Sequence, residues 1–133
     1  MEIHKPPSPI ALNRLLLSCK EKTHPPKRLQ LAIEKSICHL SILEESSGRL
    51  LGFVRATSDN GLNANLWNLV AEPGNYQSIF LAVLVNRVMA ILRRDLPGCS
   101  ISVSSPRIAI DALKANGFLL DPNGIRAMGI RLR

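Results

Sequence analysis

Aromatic side chains are scarce. Trp67, Tyr76 and three phenylalanines make up 4% of the 133 residues, too few for the stacking platforms on which single-stranded nucleic acids are held. Cysteine is scarce as well: Cys19, Cys38 and Cys99 are odd in number and widely spaced, which argues against a disulfide framework and suits reduced thiols buried as small hydrophobes. His4, His24 and His39 share no ligand spacing with one another or with any cysteine, so no metal centre is expected. The longest apolar stretch is broken by Asn86 and Arg87, and no charged-then-apolar leader opens the chain. Neither a membrane span nor export is indicated, and a cytoplasmic protein is the expectation. Glycine is missing at one particular place, between Gly74 and Ala82.

What is present is a hydrophobic content of 46%, enough to bury a core, and a length that fits one domain over residues 1–133. Residues 1–7 read as a frayed tail or a short extended entry. A net charge of +7 raises the question of an acidic partner such as nucleic acid or a polyphosphate cofactor. The cations are spread over both ends without a tight basic tract, so a solvated basic surface is favoured over nucleic-acid binding.

Ser8 before Pro9 reads as a helix N-cap and first-turn proline, with Ile10, Leu12, Leu15 and Leu16 as the apolar stripe of a helix over 9–19. A polar, proline-bearing link over 20–25 leads to a second helix from Pro26 to about Ser36. From Ile37 the period changes to two, and the turns at 46–48 and 58–61 separate strands over 37–43, 50–57 and 64–71 in an antiparallel meander. Pro73 and Gly74 break the third strand before a long helix from about Ser78. A strand over 100–104 follows a crossover and can lie parallel to the third strand. A helix from Pro106 through Leu113 ends at Asn116 and Gly117. Residues 118–120 and 127–132 read as two closing strands. The fold class is therefore α/β (α+β), a mixed, mostly antiparallel sheet flanked by helices. The long helix looks apolar nearly all round, so the N-terminal helices, a second copy of the chain, a protein partner or an apolar ligand is expected to cover it.

This element order resembles that of the GNAT superfamily of acyl-CoA-dependent N-acetyltransferases. Residues 48–59, with their Arg-Ala-Thr-Ser-Asp run, together with Asn63, Ala64, Trp67, Pro73, the Asn116-Gly117-Phe118 turn, Asp121, Pro122, Gly124, Ile125 and Met128, resemble its cyanobacterial and plastid branch. The resemblance implies a site in a fork between the third strand and the strand over 100–104. There the backbone of Leu69, Val70 and Ala71 would pair with the pantetheine arm of acetyl-CoA. The pyrophosphate would sit on the N–H groups at the start of the long helix, over Gln77, Ser78, Ile79, Phe80, Leu81 and Ala82.

Two departures from the family pattern bear on function. The family loop carries glycines where the backbone must approach phosphate closely, whereas this chain has Ser78, Ile79, Phe80 and Leu81. A bulky residue in a left-handed turn there would cost roughly 1–2 kcal/mol, so the cradle reads as filled from within. The family's tyrosine acid falls on Leu113, and the acidic residue after the tryptophan falls on Asn68; neither can exchange a proton. Catalytic residues are therefore left unassigned. The residues favour a GNAT-fold binding or assembly module with lost or weakened acetyl-CoA binding and catalysis. The alternative is an active N-acetyltransferase that uses acetyl-CoA on a small amine.

Other candidates have plainer readings. Asp59 is expected to cap its turn, Arg55 to form a structural ion pair, Trp67 to lie in the core, and Glu44 and Glu45 to be a solvated strand end. Ser104 and Ser105 are open to two readings, hydrogen bonding to the arm or capping of the helix after them.

Overall fold

The Ser8 hydroxyl accepts the Ala11 N–H at 3.1 Å, and Pro9 fills the first turn, so helix α1 (Pro9–Ser18) begins where the sequence places it. The computed structural model describes residues 5–124 and 127–133; His4 and Ile125 lie outside them. Helix α2 (Pro26–Lys35) follows, then strands β1 (Cys38–Leu43), β2 (Leu50–Ser58) and β3 (Asn63–Ala71), helix α3 (Gln77–Asp95), strand β4 (Ser100–Val103) and helix α4 (Ile110–Ala115). The sheet order is β1-β2-β3-β4, antiparallel except for the parallel pair β3 and β4. The mixed sheet with flanking helices is the architecture read from the sequence.

Two apolar layers sandwich the sheet. Leu81, Leu84, Val85, Val88 and Leu92 of α3 pack with Val54, Ala56, Leu66 and Leu69 of the sheet and with Leu113 of α4. On the opposite face Leu12, Leu15 and Leu16 of α1 and Leu29 and Ile33 of α2 pack on Phe53 and Val70. This corrects one expectation: α1 and α2 do not wrap α3. The buried residues of α3 fall at 81, 84, 85, 88, 89 and 92, the single stripe of an ordinary amphipathic helix. The sheet and α4 cover that stripe, and the helix turns Asn86, Arg87, Arg93 and Arg94 outward. Gly52 allows the close approach, since a Cβ there would stand 3.0 Å from a Leu84 methyl.

The predicted closing strands are the second correction. Residues 118–120 and 127–132 form no strand, and residues 122–124 make a short 3-10 turn. An extended segment becomes a strand only when a neighbour accepts its ladder and a face accepts its side chains. Here Leu119 is 77% exposed and Met128 94% exposed, with Leu120, Ile130 and Leu132 also open. The helix placed from Pro106 onward is a 3-10 turn over Arg107–Ala109 leading into α4. It ends as expected: Gly117 takes φ +93°, with its N–H on Lys114 O and the Phe118 N–H on Leu113 O.

Candidate functional site

Strand β3 has two halves. From Asn63 to Leu66 it pairs with Ser100 to Val103. Beyond Leu66 and Val103 the ladder stops, and at that point β3 is bulged: Arg55 pairs with Trp67 but Phe53 with Val70, which leaves one extra residue on β3. Asn68 takes φ +54° there, a conformation asparagine tolerates better than most residues.

The bulge sets which main-chain groups face the opening. Glu72 N–H donates to Leu51 O at 2.7 Å, so the carbonyl of the same peptide, Ala71 C=O, points away from β2. By strand alternation the N–H and C=O of Leu69 and the N–H of Ala71 point the same way, and those of Val70 face β2. Ala71 O already accepts the Cys19 thiol at 3.0 Å and Gln77 Nε2 at 3.0 Å. Burial pushes the Cys19 thiol pKa up, which keeps it a donor. A Leu69 peptide edge therefore remains on the fork, beside a cleft of about 500 Å³ lined by Leu16, Trp67, Asn68, Val103 and Ser105 among others.

At the start of α3, Gln77 N–H donates to Gly74 O at 3.3 Å and Phe80 N–H to Tyr76 O at 2.9 Å. The N–H groups of Ser78 and Ile79 lie between them, in the first turn, where helix geometry supplies no internal acceptor. Leu81 is fully buried in the α3 core, and Phe80 packs against that core with its ring 6.2 Å from Tyr76. The side chains of Ser78 and Ala82 are exposed, and Ile79 is 56% exposed. The structure thus gathers Leu69, Val70 and Ala71 at one end of the loop and Gln77, Ser78 and Ile79 at the other. It turns Phe80 and Leu81 inward.

Two expectations fail at the cleft. Trp67 is 41% exposed rather than core; it lies across from Arg55, and its indole N–H donates to Thr57 Oγ1 at 2.7 Å. Arg55 makes no ion pair among the described residues. Its Nε donates to Asn68 Oδ1 at 2.7 Å and a terminal nitrogen to Ser36 Oγ at 3.3 Å. The guanidinium lies over the Trp67 ring, 5.9 Å from its centre. Burial lowers its pKa from the usual guanidinium range. Ser105 donates to Pro106 O at 2.7 Å and caps no helix, while Ser104 lines the cleft. Leu113 is buried in the core.

The turn readings of Asp59 and Glu44 hold. Asp59 Oδ1 accepts the N–H groups of Gly61, Leu62 and Asn63, and these bonds hold its carboxyl below the usual range. Glu44 accepts from Ser46 and Ser47 in its own turn. Among the described residues no group of His, Cys, Asp and Glu could hold a metal ion, and no helix is long and apolar enough to cross a membrane.

Sequence reasoning missed the link between α1 and α2 as part of the cleft. Glu21, Lys22 and His24 line it, and Asn13 fixes the link by accepting the His24 N–H at 3.0 Å and donating to its carbonyl at 2.8 Å. The available signal was a polar segment with three cations or histidines in a row of six. A second signal was an asparagine, Asn68, inside an apolar strand.

No family model matches the chain. It is 33% identical over 106 residues to the "Uncharacterized N-acetyltransferase ycf52" of Porphyra purpurea, covering 78% of this chain and 60% of that one. It is 34% identical over 87 residues to the "GCN5-related N-acetyltransferase 2, chloroplastic" of Arabidopsis thaliana, covering 64% and 33%. The chain thus spans at most about 60% of the length of these curated relatives. Among solved structures, a "Probable Acetyltransferase" of Staphylococcus aureus superposes with a TM-score of 0.86 at 13% identity, over 98% of both chains. A GNAT family acetyltransferase of Streptococcus pneumoniae gives 0.72 at 12% identity, over 99% of this chain and 96% of that one. The parallel strands that part after Leu66 and these similarities agree with the resemblance read from the sequence, and the chain belongs to the GNAT superfamily of N-acetyltransferases.

Proposed function

We propose that this chain holds acetyl-CoA in the fork beside Leu69 and presents the acetyl group to a small amine in the adjoining cleft, with weak catalysis because it supplies no proton donor at Leu113. One observation carries this reading: β3 parts from β4 after Leu66, and the Leu69 peptide edge faces a cleft of about 500 Å³. The residues that would hold the cofactor fit it in part. Leu69 and Ala71 offer main-chain groups to an amide-bearing arm, and the N–H groups of Ser78 and Ile79 offer the positive end of α3 to phosphate. The large side chains of Phe80 and Leu81, which on sequence grounds would fill the cradle, point into the core. Each residue from Ser78 to Leu81 still carries a Cβ where the resemblance implies glycine at one or more of these positions, which weakens that grip.

Bound acetyl-CoA supplies an acyl group on a thioester, whose thiol is acidic enough to leave without a strong acid. The chain's part is to orient the arm along β3 and to exclude water with Leu16, Trp67 and Val103. The amine needs a base, and His24 and Glu21 are the titratable groups at the cleft that could take its proton through water.

Thermal shift with acetyl-CoA and release of CoA thiol in the presence of amines together test this. Binding with a rise in Tm of several degrees at about 100 times Kd, and slow turnover, is the expected result. No stabilisation at millimolar acetyl-CoA would refute it. The second reading, a binding or assembly module without turnover, is favoured by Leu113 and Asn68, neither of which can move a proton. It predicts a complex, with acetyl-CoA or a protein, and no release of thiol with any amine.

A further inference from the structure

A second cleft, of about 380 Å³, adjoins the fork on the α2 side and shares Lys22, His24, Arg55 and Asn68 with it. Among the described residues its lining includes Lys22, Arg28, Arg55 and Arg131 and no carboxylate. Around both clefts together, these four cations face one acid among the described residues, Glu21. Like charges gathered around a concave surface raise a positive potential there and invite an anion.

Arg55 gives that potential a fixed point. It is half-buried, and its two hydrogen-bond acceptors, Asn68 Oδ1 and Ser36 Oγ, are both neutral. A guanidinium has five N–H donors, so three remain for a ligand. Asn68 on the bulge and the Trp67 ring hold the plane of the group in place, which suits the two-pronged recognition of a carboxylate or phosphate. A half-buried cation with no counter-ion among the described residues costs free energy that an anionic ligand returns. The first turn of α3, where the pyrophosphate of acetyl-CoA is placed, lines neither cleft.

We infer that the cleft at Arg55, Arg28 and Lys22 binds the anionic group, carboxylate or phosphate, of a small acceptor amine. A polyamine or other purely cationic acceptor is repelled there. This inference rests on the reading of the fork as the acyl-CoA site, and the test separates the two.

The full chain is titrated by calorimetry, without acyl-CoA, with O-phosphoethanolamine against ethanolamine and with β-alanine against propylamine. The anionic member of each pair should bind at least about tenfold more tightly. Arg55→Gln should remove most of that preference, and Arg28→Gln, at an exposed position on α2 where folding is not at stake, should reduce it several-fold. Equal affinity within both pairs, or tighter binding of spermidine, would overturn the inference. Acetyl-CoA is then titrated in the presence and absence of O-phosphoethanolamine. Unchanged acetyl-CoA affinity supports separate sites, whereas mutual displacement would make the cleft a cofactor phosphate site and overturn the inference. If O-phosphoethanolamine binds with the expected preference and acetyl-CoA does not bind at all, the anion cleft stands and the fork reading falls.

Discussion

The two halves of β3 are built from one continuous strand and behave differently. From Ala64 to Leu66 the strand is paired on both edges, and Ala64 and Leu66 are buried. From Trp67 to Ala71 it is paired on one edge only; its other edge opens on a cleft, with an exposed indole and a half-buried guanidinium beside it. The change takes a single residue, Asn68, with a positive φ, together with the end of β4 at Val103. The paired half makes the fold, and the open half lines the cleft proposed as the site. An open strand edge thus needs little more than a bulge in a strand whose neighbours are already fixed.

The largest effect should come from the paired half. Leu66→Ala empties a fully buried position between the sheet and α3 and should cost about 2–5 kcal/mol in urea unfolding, without changing the order of ligand preferences. A loss below about 1 kcal/mol would mean that the paired half is not the scaffold. At the junction, Asn68→Val forces a β-branched residue into a left-handed conformation and should cost roughly 1–2 kcal/mol, while it also removes the Arg55 acceptor. Asn68→Gly keeps the backbone and removes only the acceptor, so it should lower affinity for an anionic amine with little change in stability. Equal stability of the Val and Gly variants would argue against the bulge.

How much of this was legible in the sequence depends on whether the cause was local. Ser8, Asp59 and Gly117 act on residues within five positions, and each does what its neighbours predict. The apolar stripe of α3 was visible, but its width was overread because Ile79 and Val83 look apolar in sequence and lie on an exposed or half-exposed side. The fork depends on where β4 stops relative to β3, and the neutral partners of Arg55 on Asn68 and Ser36 being brought to it from β3 and from the end of α2. Neither is written in any single segment. The predicted strands at 118–120 and 127–132 failed for the same reason, since a period of two does not supply a partner edge.

Smaller effects follow. Ser41 is buried at 1% exposure, and its hydroxyl has no hydrogen-bond partner among the described residues. Ser41→Ala should therefore be neutral or stabilise by up to about 1 kcal/mol; a clear loss would reveal a partner. The smallest effect is that of Asp59, far from the fork. Its carboxyl pKa is lowered in the folded chain by three backbone N–H groups. Its contribution is present above the unfolded value of about 3.9 and is lost as pH falls through the lower folded value. Asp59→Asn should flatten the stability profile in that acid range and leave the profile near neutral pH unchanged.

The central claim is that the open half of β3 holds the acyl-CoA arm, and amide spectra of nitrogen-15-labelled protein titrated with acetyl-CoA test it most directly. The account predicts that the Leu69, Ala71, Ser78 and Ile79 amides shift together, with one affinity, while those of Ala64 and Leu66 stay in place. Unmoved Leu69 and Ala71 amides at millimolar acetyl-CoA would contradict it.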